Sequence, residues 1–264
     1  MGRLEKLILT GSHRGIDRLI DLLPADYCAQ AGQFVLSWPR GRVLLITGFY
    51  VNGRGETDGP PGTKLLFDAL TRLGFSPLVV TDPFCADYFR AAGLPFVTFG
   101  PEAGEEELRT LLQQEKPVGL VAVERCGRAA DGRYINVQGQ EIGPHMAPLD
   151  GLFRLSDAPS VGIGDGGNEI GMGNLAAGIQ ERLGRVPSAV KVDRLILATV
   201  SNWGALGLCK ALGHLPTEAA LLLAYGLCAE AGLVDGITGR PTLSEDGFPI
   251  EYVQKLRNDL EALA

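Results

Sequence analysis

Six short apolar runs rich in β-branched residues recur along the chain: VLLIT (43–47), PLVVT (77–81), PFVTF (95–99), VGLVAV (118–123), SVGIG (160–164) and RLILATV (194–200). Most are too short and too continuously apolar for amphipathic helices, and read as strands buried on both faces. Between them lie KLLFDALTRLG (64–74), CADYFRAAG (85–93), EEELRTLLQQE (105–115), NLAAGIQERLG (174–184) and NWGALGLCKALG (202–213), which have helical spacing and close near a glycine or proline. This alternation predicts an α/β fold, a Rossmann-like three-layer sandwich with a mostly parallel sheet. Residues 1–41 and 217–264 also read as helix-rich, so one domain over 1–264 with helical additions at both termini is expected.

Two connections exceed the usual α/β loop: GFYVNGRGETDGPPG (48–62) after the first strand and ERCGRAADGRYINVQGQEIGPH (124–145) after the fourth. Ligands of open α/β sheets bind at the carboxyl ends of strands, so these loops and the glycine-rich SVGIGDGGNEIGMGN (160–174) should share one crevice. The glycines, some with positive φ, would aim Asp165, Asn168 and Glu169 into that crevice and leave N–H groups at Gly166 and Gly167 free for a ligand.

Acids outnumber Lys and Arg by 31 to 24, which gives no electrostatic reason for a nucleic-acid partner and favours a small molecule. The longest apolar stretch, AALLLAYGLCA (219–229), falls short of the ~20 residues of a membrane span and reads as a buried helix. MGRLEKLILTGSHRG lacks signal-peptide and myristoylation patterns, and five scattered cysteines suggest neither disulfides nor a zinc knuckle; a cytoplasmic location is expected.

GPPGTK (59–64) resembles a phosphate loop but lacks the Gly-Lys-Ser/Thr order, since Thr63 precedes Lys64 and Leu65 follows; the free N–H groups of that helix start could still hold an anion. GIGDGG (162–167) matches GxGxxG, yet the next strand runs into Ser201, Asn202 and Trp203 with no ribose-binding acid, and the helix starts only near Asn174, so a dinucleotide site is not expected. Glu56, Asp58, Asp82, Glu124, Asp165 and Glu169 fall at predicted strand ends. Carboxylates so crowded must be protonated, paired with arginine or bound to a divalent cation such as Mg or Mn, for which Asp165, Glu169 and Asp58 are the candidate ligands. Asp82, before Pro83, reads as a helix cap. Ser201 and Asn202 read either as a cap or as substrate contacts at a helix N-terminus, with Trp203 as a wall, and His145 is the one histidine in a site loop.

TGFYVNGRGETDGPPG (47–62), ERCGRAADGRYINVQGQEI (124–142), GIGDGGNEIGMGN (162–174) and SNWGALGL (201–208) together resemble the C-terminal domain family of D-glutamate cyclase, which includes stand-alone bacterial proteins. Cys126 stands where that family carries proline, and Asn52 where proline is frequent. The resemblance implies dehydration of D-glutamate to 5-oxo-D-proline, with a separate hydro-lyase as a protein partner, since a hydro-lyase-like domain precedes this one in the fused enzyme; apart from the resemblance, a homodimer is also an expected assembly. On that reading Arg125 or Arg128 holds a substrate carboxylate, Glu56, Asp58 or Glu124 serves as base or cation ligand, and Asp165, Asn168 and Glu169 shape the reacting end. Two other readings remain at this stage: a non-catalytic subunit that binds an amino acid or nucleotide and docks on a hydro-lyase, and a metal-dependent hydrolase or phosphoryl-transfer enzyme.

Overall fold

The computed structural model describes residues 1–263. Strands β1 (Arg42–Thr47), β4 (Ser76–Thr81), β5 (Phe96–Thr98), β6 (Gly119–Val123), β7 (Ser160–Gly164) and β8 (Arg194–Leu197) form one parallel sheet, ordered β5-β4-β1-β6-β7-β8. Two short antiparallel pairs lie outside it, β2 (Tyr50–Val51) with β3 (Arg54–Gly55), and β9 (Ser244–Glu245) with β10 (Phe248–Pro249). The sheet starts at its centre with β1, grows outward to β5, then returns to β6 on the other side of β1. This reversal opens a crevice at the carboxyl ends of β1 and β6, where Thr47 pairs with Val123.

Alternation along the strands makes two cores. Val43 and Leu45 of β1 face the larger one, against α2 (Tyr27–Leu36), α3 (Pro60–Arg72) and α8 (Ser201–Ala211). Leu44 and Ile46 face the smaller one, with Leu108 and Leu111 of α5 (Glu105–Glu115) and Leu152 of α6 (Gly151–Leu155). Each such fully buried aliphatic side chain contributes roughly 1.5–3 kcal/mol. Helices α1 (Arg3–Ile8), α4 (Ala86–Ala91), α9 (Glu218–Glu230) and α10 (Ile250–Glu261) add to the larger side, so both terminal regions share the core of the sheet. The expected α/β sandwich is present.

Differences from the sequence reading have local causes. β8 stops at Leu197 because the Thr199 N–H leaves the sheet to donate to the Ile8 carbonyl (2.9 Å). α3 begins at Pro60, with prolines in the turn where their missing N–H costs nothing. Residues 174–184 form no regular α-helix; a 3₁₀ turn (Met172–Leu175), the single turn α7 (Ala176–Gly178) and a π turn (Ile179–Leu183) follow one another. α9 is buried on one side only: Leu221, Ala224, Tyr225 and Cys228 pack inward, while Leu222 and Leu223 are 39% and 58% exposed. Among the described residues no helix is long and apolar enough to cross a membrane, and the five cysteines are buried and unpaired.

Candidate functional site

A cavity of about 670 Å³ opens at the strand-order reversal. Glu124, the first residue past β6, has φ 42, a left-handed conformation uncommon for a side chain of its size. That turn presents its carboxyl to the cavity, where Glu56, Asn168 and Glu169 also face. Tyr50 and His145 stack on the cavity lining with ring centroids 4.1 Å apart. The backbones after β6 and β7 run side by side, clipped by Ile170 N–H to Arg125 O (2.8 Å) and Gly127 N–H to Asn168 O (2.9 Å). Glu124 and Glu169 are thereby held on facing loops.

The N–H groups expected to stay free for a ligand are already used. Gly166 and Gly167 donate to the two oxygens of Glu169 (2.8 Å each), and Gly167 reaches this geometry at φ 108. The Glu124 carboxylate accepts from the Ser201 hydroxyl (2.6 Å). Asp58 accepts the first two N–H groups of α8, from Ser201 (2.8 Å) and Asn202 (2.7 Å), so an internal carboxylate takes the position suggested for an anionic substrate. Asn202 in turn accepts from Gly59 and Gly62 N–H (2.9 and 2.8 Å), which closes the start of α3 to any anion. Its amide also donates to Thr57 O and Glu245, so Asn202 holds three segments together and stands outside the lining of the 670 Å³ cavity.

The site also contains two groups that sequence reasoning missed. Arg14 enters from the segment after α1 and donates to Asp165 and to Asp246 (2.6 Å each). Asp246 sits with Gly247 in the tight turn between β9 and β10, at φ 47. An Asp-Gly pair between short strands is a hairpin signal readable in sequence, but nothing local announces that its acid is buried. Asp165 and Asp246 each keep one buried oxygen, Oδ2, with no hydrogen-bond partner.

The acids form two overlapping groups whose ligand atoms lie within 4.8 Å of one another: Asp58, Asp165 and Asp246, and Glu124, Asp165 and Glu169. Crowding and burial act together on their protonation. Burial first, then neighbouring carboxylates, push Glu56, Asp58 and Glu124 well above the ordinary carboxyl range. Asp165 is pushed up to about 6 by burial, against the pull of Arg14, and Asp246 to about 7 for the same reasons. Arg14 itself loses solvation by burial, but Asp165, Asp246, Glu56 and Glu124 more than restore its charged form.

The remaining predicted residues lie elsewhere. Arg125 is fully buried, paired with Asp82 and donating to Gly48 O (3.0 Å) and Ala147 O (2.5 Å), so it braces loops and does not face the cavity. Asp82 makes no capping bond through its side chain; it accepts from Arg125 and Ala147 N–H (2.6 Å). Arg128 is engaged by Asp150 (2.6 Å) and Tyr134, away from the cavity. Trp203 is no wall: it is buried, with its indole N–H on Glu245 (2.6 Å). Of the predicted residues, Glu56, Glu124, Gly166, Asn168 and Glu169 line the cavity, while Asp58, Asp165, Gly167, Ser201 and Asn202 stand behind it.

Comparison with known proteins fits this arrangement. A family model described as D-glutamate cyclase-like, C-terminal, matches residues 4–261. The human protein D-glutamate cyclase, mitochondrial, is 31% identical over 241 residues, an alignment that covers 79% of this chain and 38% of the human protein. The chain therefore spans well under half the length of that relative. With the family match running through nearly every element of the fold, the chain belongs to the D-glutamate cyclase-like C-terminal family.

Proposed function

We propose that the chain is a D-glutamate cyclase-like lyase, closing D-glutamate to 5-oxo-D-proline with loss of water in the 670 Å³ cavity. Closure forms a bond between the α-nitrogen and the side-chain carboxyl carbon and breaks one C–O bond. The ammonium gives up two protons in all, and the departing oxygen leaves as water, so no net proton is consumed. Such a reaction asks for groups that both accept and donate protons near neutrality. Glu56 and Glu124 face the cavity and are held well above the ordinary carboxyl range by burial and neighbouring acids, so they retain protons that an ordinary carboxylate would have lost and are the acid–base candidates. Arg14 is the one lysine or arginine lining the cavity among the described residues, and is the partner for a substrate carboxylate. Holding nitrogen and carboxyl carbon together supplies much of the rate by orientation.

Glu124 carries this reading, because its left-handed backbone and its Ser201 hydrogen bond fix a buried carboxyl at the strand-order reversal. Glu124→Gln should lower kcat by about 10²–10⁴ while leaving the melting temperature close to that of the parent. Absence of 5-oxo-D-proline formation by the unmodified protein, with and without Mg or Mn, would sink the lyase reading. The 38% coverage of the human relative supports a second one, a binding subunit that needs a separate hydro-lyase. D-glutamate binding without turnover, with turnover restored by that partner, would select it.

A further inference from the structure

We infer that Glu124, Asp165 and Glu169 form a divalent-cation site, of the hard oxygen-ligand kind that takes Mg or Mn, open to the cavity and distinct from the Asp58–Asp246 side of the cluster. All three carboxyls are buried and offer ligand atoms within 4.8 Å of each other. Asp165, shared by both groups of acids, gives a further sign: it is fully buried, Arg14 takes its Oδ1, and its Oδ2, like that of the neighbouring Asp246, meets no N–H or O–H donor. A buried carboxylate oxygen without a donor is costly unless a cation or a proton meets it.

The other triad is less suited to a cation. Asp58 and Glu169 each accept two backbone N–H groups and keep lone pairs to spare, so the difference lies with Arg14, which bridges Asp165 and Asp246 and sets a guanidinium between them. None of Asp58, Asp165 and Asp246 lines the cavity, whereas Glu124 and Glu169 do, so a hydrated ion can reach them. The charge count points the same way. Glu56, Asp58, Glu124, Asp165, Glu169 and Asp246 crowd around Arg14, with Arg185 acting on Glu169 and Asp165 from the Gly166 side, so acids outnumber cations and a divalent ion on the cavity side offsets part of the excess. Three carboxylates fill roughly half of an octahedral shell, leaving the rest for water or a substrate carboxylate.

The site depends on the lyase reading only for its catalytic consequence, and cation binding can be measured without turnover. The full chain, stripped with chelator, is titrated with Mn²⁺ while the resonance of the free ion is followed, with Mg²⁺ as competitor and melting curves as fold control. A single ion should bind and raise the melting temperature. Glu169→Gln and Glu124→Gln should each weaken binding by at least about tenfold, while Asp246→Asn should stay within roughly threefold of the parent. Failure of the unmodified chain to bind Mn²⁺ would mean that a proton shared between Asp165 and Asp246 satisfies the cluster, and would overturn the site. So would Asp246→Asn losing more affinity than both glutamate variants. Binding without 5-oxo-D-proline formation would uphold the site and remove the lyase; turnover without binding would do the reverse.

Discussion

Asn202→Ala separates a structural role from a substrate contact. The side chain is fully buried, accepts from Gly59 and Gly62 N–H, and donates to Thr57 O and Glu245. Truncation leaves the two first-turn donors of α3 without acceptors, at about 1–3 kcal/mol each. Glu245 keeps its bonds from Trp203 and Tyr225, so its share of the loss is smaller. The sum is roughly 3–5 kcal/mol, which for a chain of this size lowers the melting temperature by on the order of 10 °C. Urea unfolding followed by circular dichroism gives the free energy directly, and the m-value should not change. Asn202→Asp sharpens the test: it keeps an acceptor for Gly59 and Gly62 but sets a carboxylate oxygen where the amide now donates to Glu245 at 2.5 Å. Its penalty should be larger at pH 8 than at pH 5. A loss below about 1 kcal/mol in Asn202→Ala, accompanied by weakened substrate binding, would refute the bracing role and restore Asn202 to the substrate.

Three further outcomes follow from the same cluster. In chelator, stability should fall between pH 5 and pH 8: Asp165, Asp246 and Glu245 are raised to about 6, 7 and 7, so the folded state holds protons that the unfolded chain releases near pH 4, and the advantage is lost as pH rises through those values. A urea midpoint that rises over that range would contradict this. Arg14→Met should cost about 3–5 kcal/mol at pH 8 and less at pH 5, where protons replace the lost cation, as seen by the same unfolding assay. Gly166→Ala should strike the site, because a Cβ there would lie 2.7 Å from Glu169 Oε1 and 2.8 Å from Asn168 Oδ1; Gly167→Ala should strike folding, because its φ is 108. Paired ligand-binding and melting measurements on the two variants decide this.

Strands and most helices were legible because burial on both faces and helical periodicity are local properties of ten-residue windows. α5 was expected at 105–115 and occupies Glu105–Glu115. The cavity acids were legible too, since loop length and strand ends locate a crevice. Their counter-cation was not. Sequence proximity favoured Arg125 and Arg128, but a guanidinium next to a glutamate in sequence can as easily point the other way, and Arg125 does so toward Asp82. Arg14 lies 151 residues from Asp165 and 232 from Asp246, separations over which no pattern in a single sequence carries information. The N–H groups of Gly166, Gly167, Ser201 and Asn202 were read as open sites because a sequence shows donors without showing which side chain from another loop reaches them first.

The Arg14 bridge has a consequence for the order in which the molecule is completed. Ribosomal synthesis releases residues 56–169, and with them most of the cavity acids, long before Asp246 emerges. Until then Arg14 has only Asp165 to hold, and the loop after α9 that packs on Glu56 is not yet in place: the Cβ of an alanine at Gly236 would fall 1.6 Å from Glu56 Oε1 and 3.2 Å from Asp246 Oδ1, so closely does that late segment seat on the acids. The cover over the acids behind the cavity is therefore complete only when residues 236–246 are docked on it. Docking of that segment supplies part of the burial that raises Glu56 and Asp246, so the proton affinity of the cluster depends on a stretch of chain far in sequence from most of its acids.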